Sequence, residues 1–290
     1  MSRFETLLVN TGLSNGRATK RGLDMLDGIR EEGYARVELT PVEQDAFEHH
    51  MEVSKGFFAA GPAHNGRYST SQLVNGYRPP ESASVEGLPD SNDSFLYWNE
   101  EYAKQIPYYK EIWWFLESNE GYRMGTAAIM LCLMMGLDKR YSYGNVLPFE
   151  KASLLQTNSN PLPIERELVQ ASHEDGTLAT VHGANDPGLE AVDTDGTIRP
   201  IAPVPGQVII FPGSILTAMT GGEIPPLYHQ VRNTGNLLGR RAVMYFSCPN
   251  VDNAIRPFVV NDTNRDTDIK ELVLASTDMF GLPANIVAEH

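Results

Sequence analysis

Pro205-Gly206-Gln207-Val208-Ile209-Ile210-Phe211-Pro212-Gly213 is a short apolar run closed at both ends by a Pro-Gly turn signal. A run this short, rich in β-branched residues and bounded by turn formers, reads as a buried strand. The same pattern recurs through the second half of the chain. Ala152 to Gln156, Thr177 to Val181, Gly188 to Val192, Tyr228 to Arg232 and Arg240 to Ser247 are further strand candidates. Asn185-Asp186-Pro187-Gly188 and Asp195-Gly196 are turn signals between them. Many short strands at fairly regular spacing predict a sandwich or barrel, and a jelly roll would pack two sheets around a small pocket. The expected class is mostly β with flanking helices.

Before residue 150 helical patterns dominate. Arg17 to Glu32 has helical spacing, with Leu23, Met25, Leu26 and Ile29 apolar, and Gly33 suits the left-handed position that ends a helix. Tyr34 to Leu39 alternates like a strand, Pro41 to Phe58 reads as a second helix, and Tyr102 to Leu137 as one long helix or two. Leu7-Leu8-Val9 is a short strand candidate. Asn65 to Asn92, rich in Gly, Pro, Ser and Asn, is expected to be a long surface loop, and Asp266 to Phe280 a helix able to cover the pocket as a lid. The change of character divides the chain into an N-terminal region, 1–147, and a jelly-roll core with a C-terminal helix, 148–290. The two are expected to pack as one compact unit.

With 290 residues, 41% of them hydrophobic and 21% charged, the chain can bury a substantial core. A formal net charge of −14 disfavours nucleic acid and anionic membrane surfaces as partners. Two cysteines, Cys132 and Cys248, imply neither a disulfide framework nor a cysteine zinc site, and suit a reduced, cytoplasmic setting. Met1 to Glu5 lacks the basic and apolar regions of a signal peptide. The apolar stretch Ala127 to Leu137 is far shorter than the ~20 residues that span a bilayer. The expectation is a monomer acting on a small molecule, with no nucleic-acid or membrane partner.

The chemistry gathers at His173-Glu174-Asp175, His229 and Arg240. On a strand, residues i and i+2 share a face, so His173 and Asp175 can reach one ion while Glu174 points away. Two histidines and a carboxylate are the ligand set of a non-haem Fe(II) centre with open positions for oxygen chemistry. The same ligands also suit zinc, and His-x-Asp alone is weak in a chain with seven histidines. The context adds weight, because all three residues fall in the strand-rich half and an arginine follows. Arg240 would share a strand face with Ala242, Met244 and Phe246, where a guanidinium can clamp a carboxylate through paired hydrogen bonds. Arg241 is the fallback for that role. Tyr77, Arg78 and Phe95-Leu96-Tyr97-Trp98 are candidates for a substrate wall, although ordinary packing also accounts for the aromatic rings.

These features resemble the isopenicillin N synthase-like family of Fe(II)/2-oxoglutarate-dependent dioxygenases. Gly188-Leu189-Glu190-Ala191, Asp195-Gly196, Pro205 to Leu216 and Met219-Thr220-Gly221-Gly222 resemble the family's segment between its HxD motif and distal histidine. The last of these runs, with Tyr245-Phe246 and Pro249-Asn250, looks especially like the bacterial branches, which include the ethylene-forming and cephalosporin ring-expanding enzymes. Glu32 to Val37 and Asn75-Gly76-Tyr77-Arg78-Pro79 resemble the family's N-terminal strand entry and Gly-Tyr loop. The resemblance implies a double-stranded β-helix, a cupin-like jelly roll. It implies that His173, Asp175 and His229 form the catalytic iron site. Arg240 would bind the distal carboxylate of 2-oxoglutarate, and Asn158 would touch the same co-substrate. Two features depart from the pattern. Ala242 stands where the family usually has Ser or Thr, and Thr157-Asn158-Ser159-Asn160-Pro161 lacks the tyrosines of an Asn-Tyr-Tyr-Pro motif.

The implied reaction uses dioxygen to oxidise an unactivated C–H of a small molecule, hydroxylation being the default, and releases succinate and carbon dioxide. The branches resembled suggest natural-product or antibiotic biosynthesis. Asp175 speaks against halogenase relatives, which lack that carboxylate. Two alternatives stay open. One is an iron oxidase of the same fold that needs no 2-oxoglutarate, with Arg240 on a substrate carboxylate. The other is a catalytically silent jelly-roll binding protein or zinc module.

Overall fold

The computed structural model describes residues 6–8, 12–71, 75–81, 84–85, 87–160, 165–235, 239–252 and 255–279. Its strands in the first half are β1 (Ala35–Glu38), β2 (Gly76–Arg78), β3 (Ser84–Val85), β4 (Leu88–Pro89) and β5 (Asp93–Tyr97). Those in the second are β6 (Leu154–Ser159), β7 (Leu168–His173), β8 (Ala179–Ala184), β9 (Leu189–Val192), β10 (Ile198–Pro200), β11 (Gln207–Pro212), β12 (His229–Arg232) and β13 (Arg241–Ser247). A seven-stranded sheet runs β1-β11-β8-β13-β6-β5-β2, and a four-stranded sheet runs β10-β9-β12-β7. Pairing is antiparallel in both. Strands from both halves of the chain share the larger sheet.

Period-two alternation explains the layers. Along β13, Ala242, Met244 and Phe246 face a cavity between the sheets, as expected from their parity. Val243 and Tyr245, on the opposite face, are wholly buried in the main apolar core. Leu155 of β6 and Val181 of β8 join them there, while Gln156 and His182, one position along, turn to the cavity. The core side is roofed by helices α1 (Asn15–Glu32), α2 (Pro41–Ala59) and α3 (Trp113–Tyr141). Helix α1 ends at Gly33, whose φ of 81° is left-handed and whose N–H donates to the Ile29 carbonyl. Helix α2 starts with a reciprocal capping box between Thr40 and Glu43. Among the described residues no helix is long and apolar enough to cross a membrane. Cys132 and Cys248 are both free and buried.

Several elements differ from expectation. Leu7 and Leu8 are helical, and Val9 lies outside the described residues, as do Met1 to Glu5. The stretch 65–92 is not merely a surface loop: Gly76–Arg78 forms the edge strand of the larger sheet, and Tyr77 is only 2% exposed. Glu100–Ala103 and Tyr109–Ile112 are separate short helical turns before α3, broken near Pro107. Strands β7 and β10 lie in segments with no clear apolar run. The C-terminal helix spans Ile269–Met279, and Phe280 lies outside the described residues. It is not a lid. Ile269 and Val273 are buried in the helix-side core, and no described residue of this helix lines the cavity.

Candidate active site

His173 is the last residue of β7 and His229 the first of β12, and the two are Cα partners across the smaller sheet. Asp175 lies beyond the end of β7 rather than within it, so strand parity does not place it. Glu174 correspondingly borders the cavity instead of pointing away. The loop itself positions Asp175. Its carbonyl accepts the Ser214 N–H at 2.9 Å, and its Oδ2 accepts the Thr180 hydroxyl at 2.5 Å. Gly213 makes this approach possible, since a Cβ there would fall 2.3 Å from the Thr177 carbonyl oxygen and 2.5 Å from that of Asp175.

With Oδ2 held by Thr180, Oδ1 is presented to the histidines, 3.7 Å from His173 Nε2 and 3.9 Å from His229 Nε2. Both rings are oriented from behind. His173 Nδ1 is 2.9 Å from the Ala171 carbonyl and His229 Nδ1 is 3.1 Å from that of Leu227. A carbonyl only accepts, so each Nδ1 carries the proton and each Nε2 presents a lone pair. One donor atom from each of the three residues lies within 4.8 Å of the others. Burial pushes the His229 pKa down, with the Asp175 charge opposing, which favours the neutral ring that a metal needs.

The cavity at these residues has a volume of about 380 Å³. Arg240 closes one end. It is 3% exposed, and burial pushes its pKa down to about 10. Its Nε donates to the Pro187 carbonyl at 2.9 Å, while Nη2 is buried with no hydrogen-bond partner among the described residues. Arg241 does not line the cavity and donates to the Gly239 carbonyl at 2.9 Å. Asn158 does line it, and its Oδ1 accepts from Gln156 Nε2 at 2.8 Å. Pro161, the end of that motif, lies outside the described residues.

Of the residues expected to form the substrate wall, Arg78 lines the cavity and the aromatic ones do not. Tyr77 turns its hydroxyl to Asp93 at 3.0 Å, and Phe95 packs among the helix-side rings with Phe57 and Phe115. Asn92, Ser94, Gln156, Asn160 and Gln170 instead bring polar groups to the cavity. Antiparallel register sets Arg78, Ser94, Asn158 and Ala242 side by side across β2, β5, β6 and β13. His182 of β8 also lines the cavity, and sequence reading missed it because it belongs to no motif. Its alternation with Val181 was the available signal.

A donor set of two oriented imidazoles and one carboxylate fits Fe(II), and the unpartnered Arg240 Nη2 fits a carboxylate on a co-substrate. Residues 151–249 match the 2OG-Fe(II) oxygenase superfamily. Gibberellin 20 oxidase 2 of Oryza sativa subsp. indica is 30% identical to this chain over 132 residues, 44% of this chain and 33% of that protein. The match thus spans about a third of that relative's length. A Caulobacter crescentus protein of the 2OG-Fe(II) oxygenase family shares the fold at a TM-score of 0.71 and 18% identity, over 91% of this chain and 95% of that one. A full-length Neurospora crassa protein, solved in complex with alpha-KG and thymine, aligns at a TM-score of 0.69 and 16% identity, over 91% and 92% of the two chains. The strand order of the two sheets places His173, Asp175, His229 and Arg240 on one cavity.

Proposed function

We propose that this oxygenase is an Fe(II)/2-oxoglutarate-dependent enzyme that oxidises a C–H bond of a polar small molecule, with hydroxylation as the default outcome. One observation carries the reading: a single cavity holds both the three-point metal donor set and a buried guanidinium nitrogen without a partner among the described residues. His173, Asp175 and His229 hold the iron. Arg240 binds the distal carboxylate of 2-oxoglutarate, with Asn158 beside it. Once bound, Fe(II) and 2-oxoglutarate supply the oxidising chemistry, consuming dioxygen and releasing succinate and carbon dioxide as the substrate is oxidised.

The chain's own residues orient and shield. The Ala171 and Leu227 carbonyls fix the imidazole tautomers, and Thr180 fixes the carboxylate. Leu189, Phe211 and Val231 line the cavity with apolar surface that limits water near the metal. On the substrate side, Arg78 and the amides of Asn92, Gln156 and Gln170 suit a molecule with several hydrogen-bonding groups and an anionic one. We place the enzyme with the bacterial natural-product branches on the strength of Met219 to Gly222, Tyr245-Phe246 and Pro249-Asn250.

The test is oxygen-dependent succinate formation. Fe(II)-loaded protein is given 2-oxoglutarate and a panel of polar metabolites, in anaerobic and aerated vials, with mass change of each compound read in parallel. Succinate is expected only with air and a productive compound, and His173→Ala is expected to abolish it. Succinate that persists in His173→Ala would sink the reading. Ala242 favours one second reading, an oxidase in which Arg240 grips a substrate carboxylate directly. Under anaerobic conditions, a metal-to-ligand charge-transfer band on adding 2-oxoglutarate to the Fe(II) protein decides against it.

A further inference from the structure

Ala242 brings only a methyl group to the side of the cavity that receives Arg240, so β13 offers no hydroxyl there. His182 faces the same space from the neighbouring strand. β8 and β13 are paired with Ala184 opposite Ala242 and His182 opposite Met244. His182 is therefore a diagonal neighbour of Ala242 on the cavity face, about 7–8 Å away along such a pair and within reach of an imidazole. His182, Ala242 and Arg240 all line the cavity. The charges of Arg240 and of His229 both act on the ring, and all three residues line the one cavity. His182 is buried, and its side chain makes no hydrogen bond to another described residue.

We propose that His182 is a co-substrate-binding residue whose ring N–H donates to the distal carboxylate of 2-oxoglutarate, taking the place of the hydroxyl that Ala242 lacks. The inference rests on the reading that 2-oxoglutarate binds between Arg240 and the metal donors. Burial, aided by the Arg240 charge, pushes the His182 pKa down to about 3. A neutral ring supplies one donor without setting a second cation against Arg240. Position 182 then matters to the far end of a dicarboxylate and not to the chelating end.

The test is anaerobic titration of the Fe(II)-loaded protein, following the charge-transfer band. Two acids are compared: 2-oxoglutarate, and 2-oxopentanoate, which keeps the chelating end and lacks the distal carboxylate. His182→Leu is expected to weaken 2-oxoglutarate roughly tenfold to a hundredfold, the range for one lost hydrogen bond to a charged group. Binding of 2-oxopentanoate should change little. Adding Ala242→Ser to His182→Leu should recover most of the loss. If His182→Leu does not fold, His182→Phe keeps a ring without the N–H and gives the same comparison. Wild-type affinity in the variant, equal loss for both acids, or no recovery with Ala242→Ser would each overturn the inference. Wild-type protein that shows no band with 2-oxoglutarate would instead overturn the co-substrate reading beneath it.

Discussion

Thr180 does for Asp175 what two backbone carbonyls do for the histidines. Its hydroxyl occupies Oδ2 and so leaves Oδ1 to face the two histidines, where it would hold a metal. Thr180→Val keeps the shape of the side chain and removes the donor. It is expected to weaken Fe(II) or Co(II) binding by roughly 10- to 100-fold, the usual cost of losing such a partner. Thr180→Ser should stay near wild type. Competition against a chromogenic chelator measures both, and a Thr180→Val affinity equal to wild type would show that the loop alone holds Asp175. At this scale the triad was legible, because His-x-Asp, His229 and Arg240 form a recognisable set. Strand parity was the wrong reason for Asp175, since the strand stops at His173 and hydrogen bonds from Ser214 and Thr180 do the placing. Thr180 and His182 belong to no motif; the fold brings the first to Asp175 and the second to the cavity, and only strand alternation hinted at either.

Elements make a second kind of demand, for close approach. Helices α1 and α3 cross where Gly22 meets Gly136, and a Cβ on Gly22 would lie 1.8 Å from the Cys132 carbonyl oxygen. Backbone cannot move aside as a side chain tip can, so Gly22→Ala must push the helices apart. A cost at the upper end of the ~1–3 kcal/mol typical of overpacking is expected. Gly121→Ala, also in α3, meets nothing within 4 Å and should stabilise by up to ~1 kcal/mol through helix propensity. Urea midpoints of the two variants check this pair, and equal midpoints would contradict the close crossing. The helices were legible because their apolar periodicity and caps act locally. β7 was not, because Leu168-Val169-Gln170-Ala171-Ser172-His173 borders the cavity on one side and carries no apolar run. The segment 65–92 misled for the opposite reason, since its turn-forming residues surround the buried Gly76–Arg78 strand.

Across the whole molecule, two buried systems respond to different solution variables. His50 joins α2 to α3 and β6, with its ring nitrogens 3.2 Å from the Ser118 hydroxyl and 2.8 Å from that of Thr157. Burial lowers its pKa from 6.5 to about 3. The unfolded chain therefore takes up a proton below pH 6.5 that the folded chain refuses, and stability present above that pH is lost as pH falls toward 3. Burial raises the Asp93 carboxyl from 3.8 to about 6, which opposes this between those two values. Comparing wild type with His50→Gln isolates the histidine: wild-type unfolding free energy should fall more steeply, by about 1.4 kcal/mol per pH unit, between roughly pH 6 and 4. Parallel slopes would mean that His50 is protonated in the fold. The second system is the candidate metal site, whose donors are anchored to both sheets. Its two histidines belong to β7 and β12 of the smaller sheet, whereas Asp175 is tied through Thr180 to β8 of the larger one. An ion bound to all three links the sheets and binds only the folded chain, worth about 2.7 kcal/mol at a hundredfold excess over Kd. Stripping it with a chelator should lower the melting temperature, and hydrogen exchange should accelerate in β7, β12 and β9 before it does in α1 and α3. Uniform acceleration through both layers would instead mean that the ion stabilises the molecule without bridging its sheets.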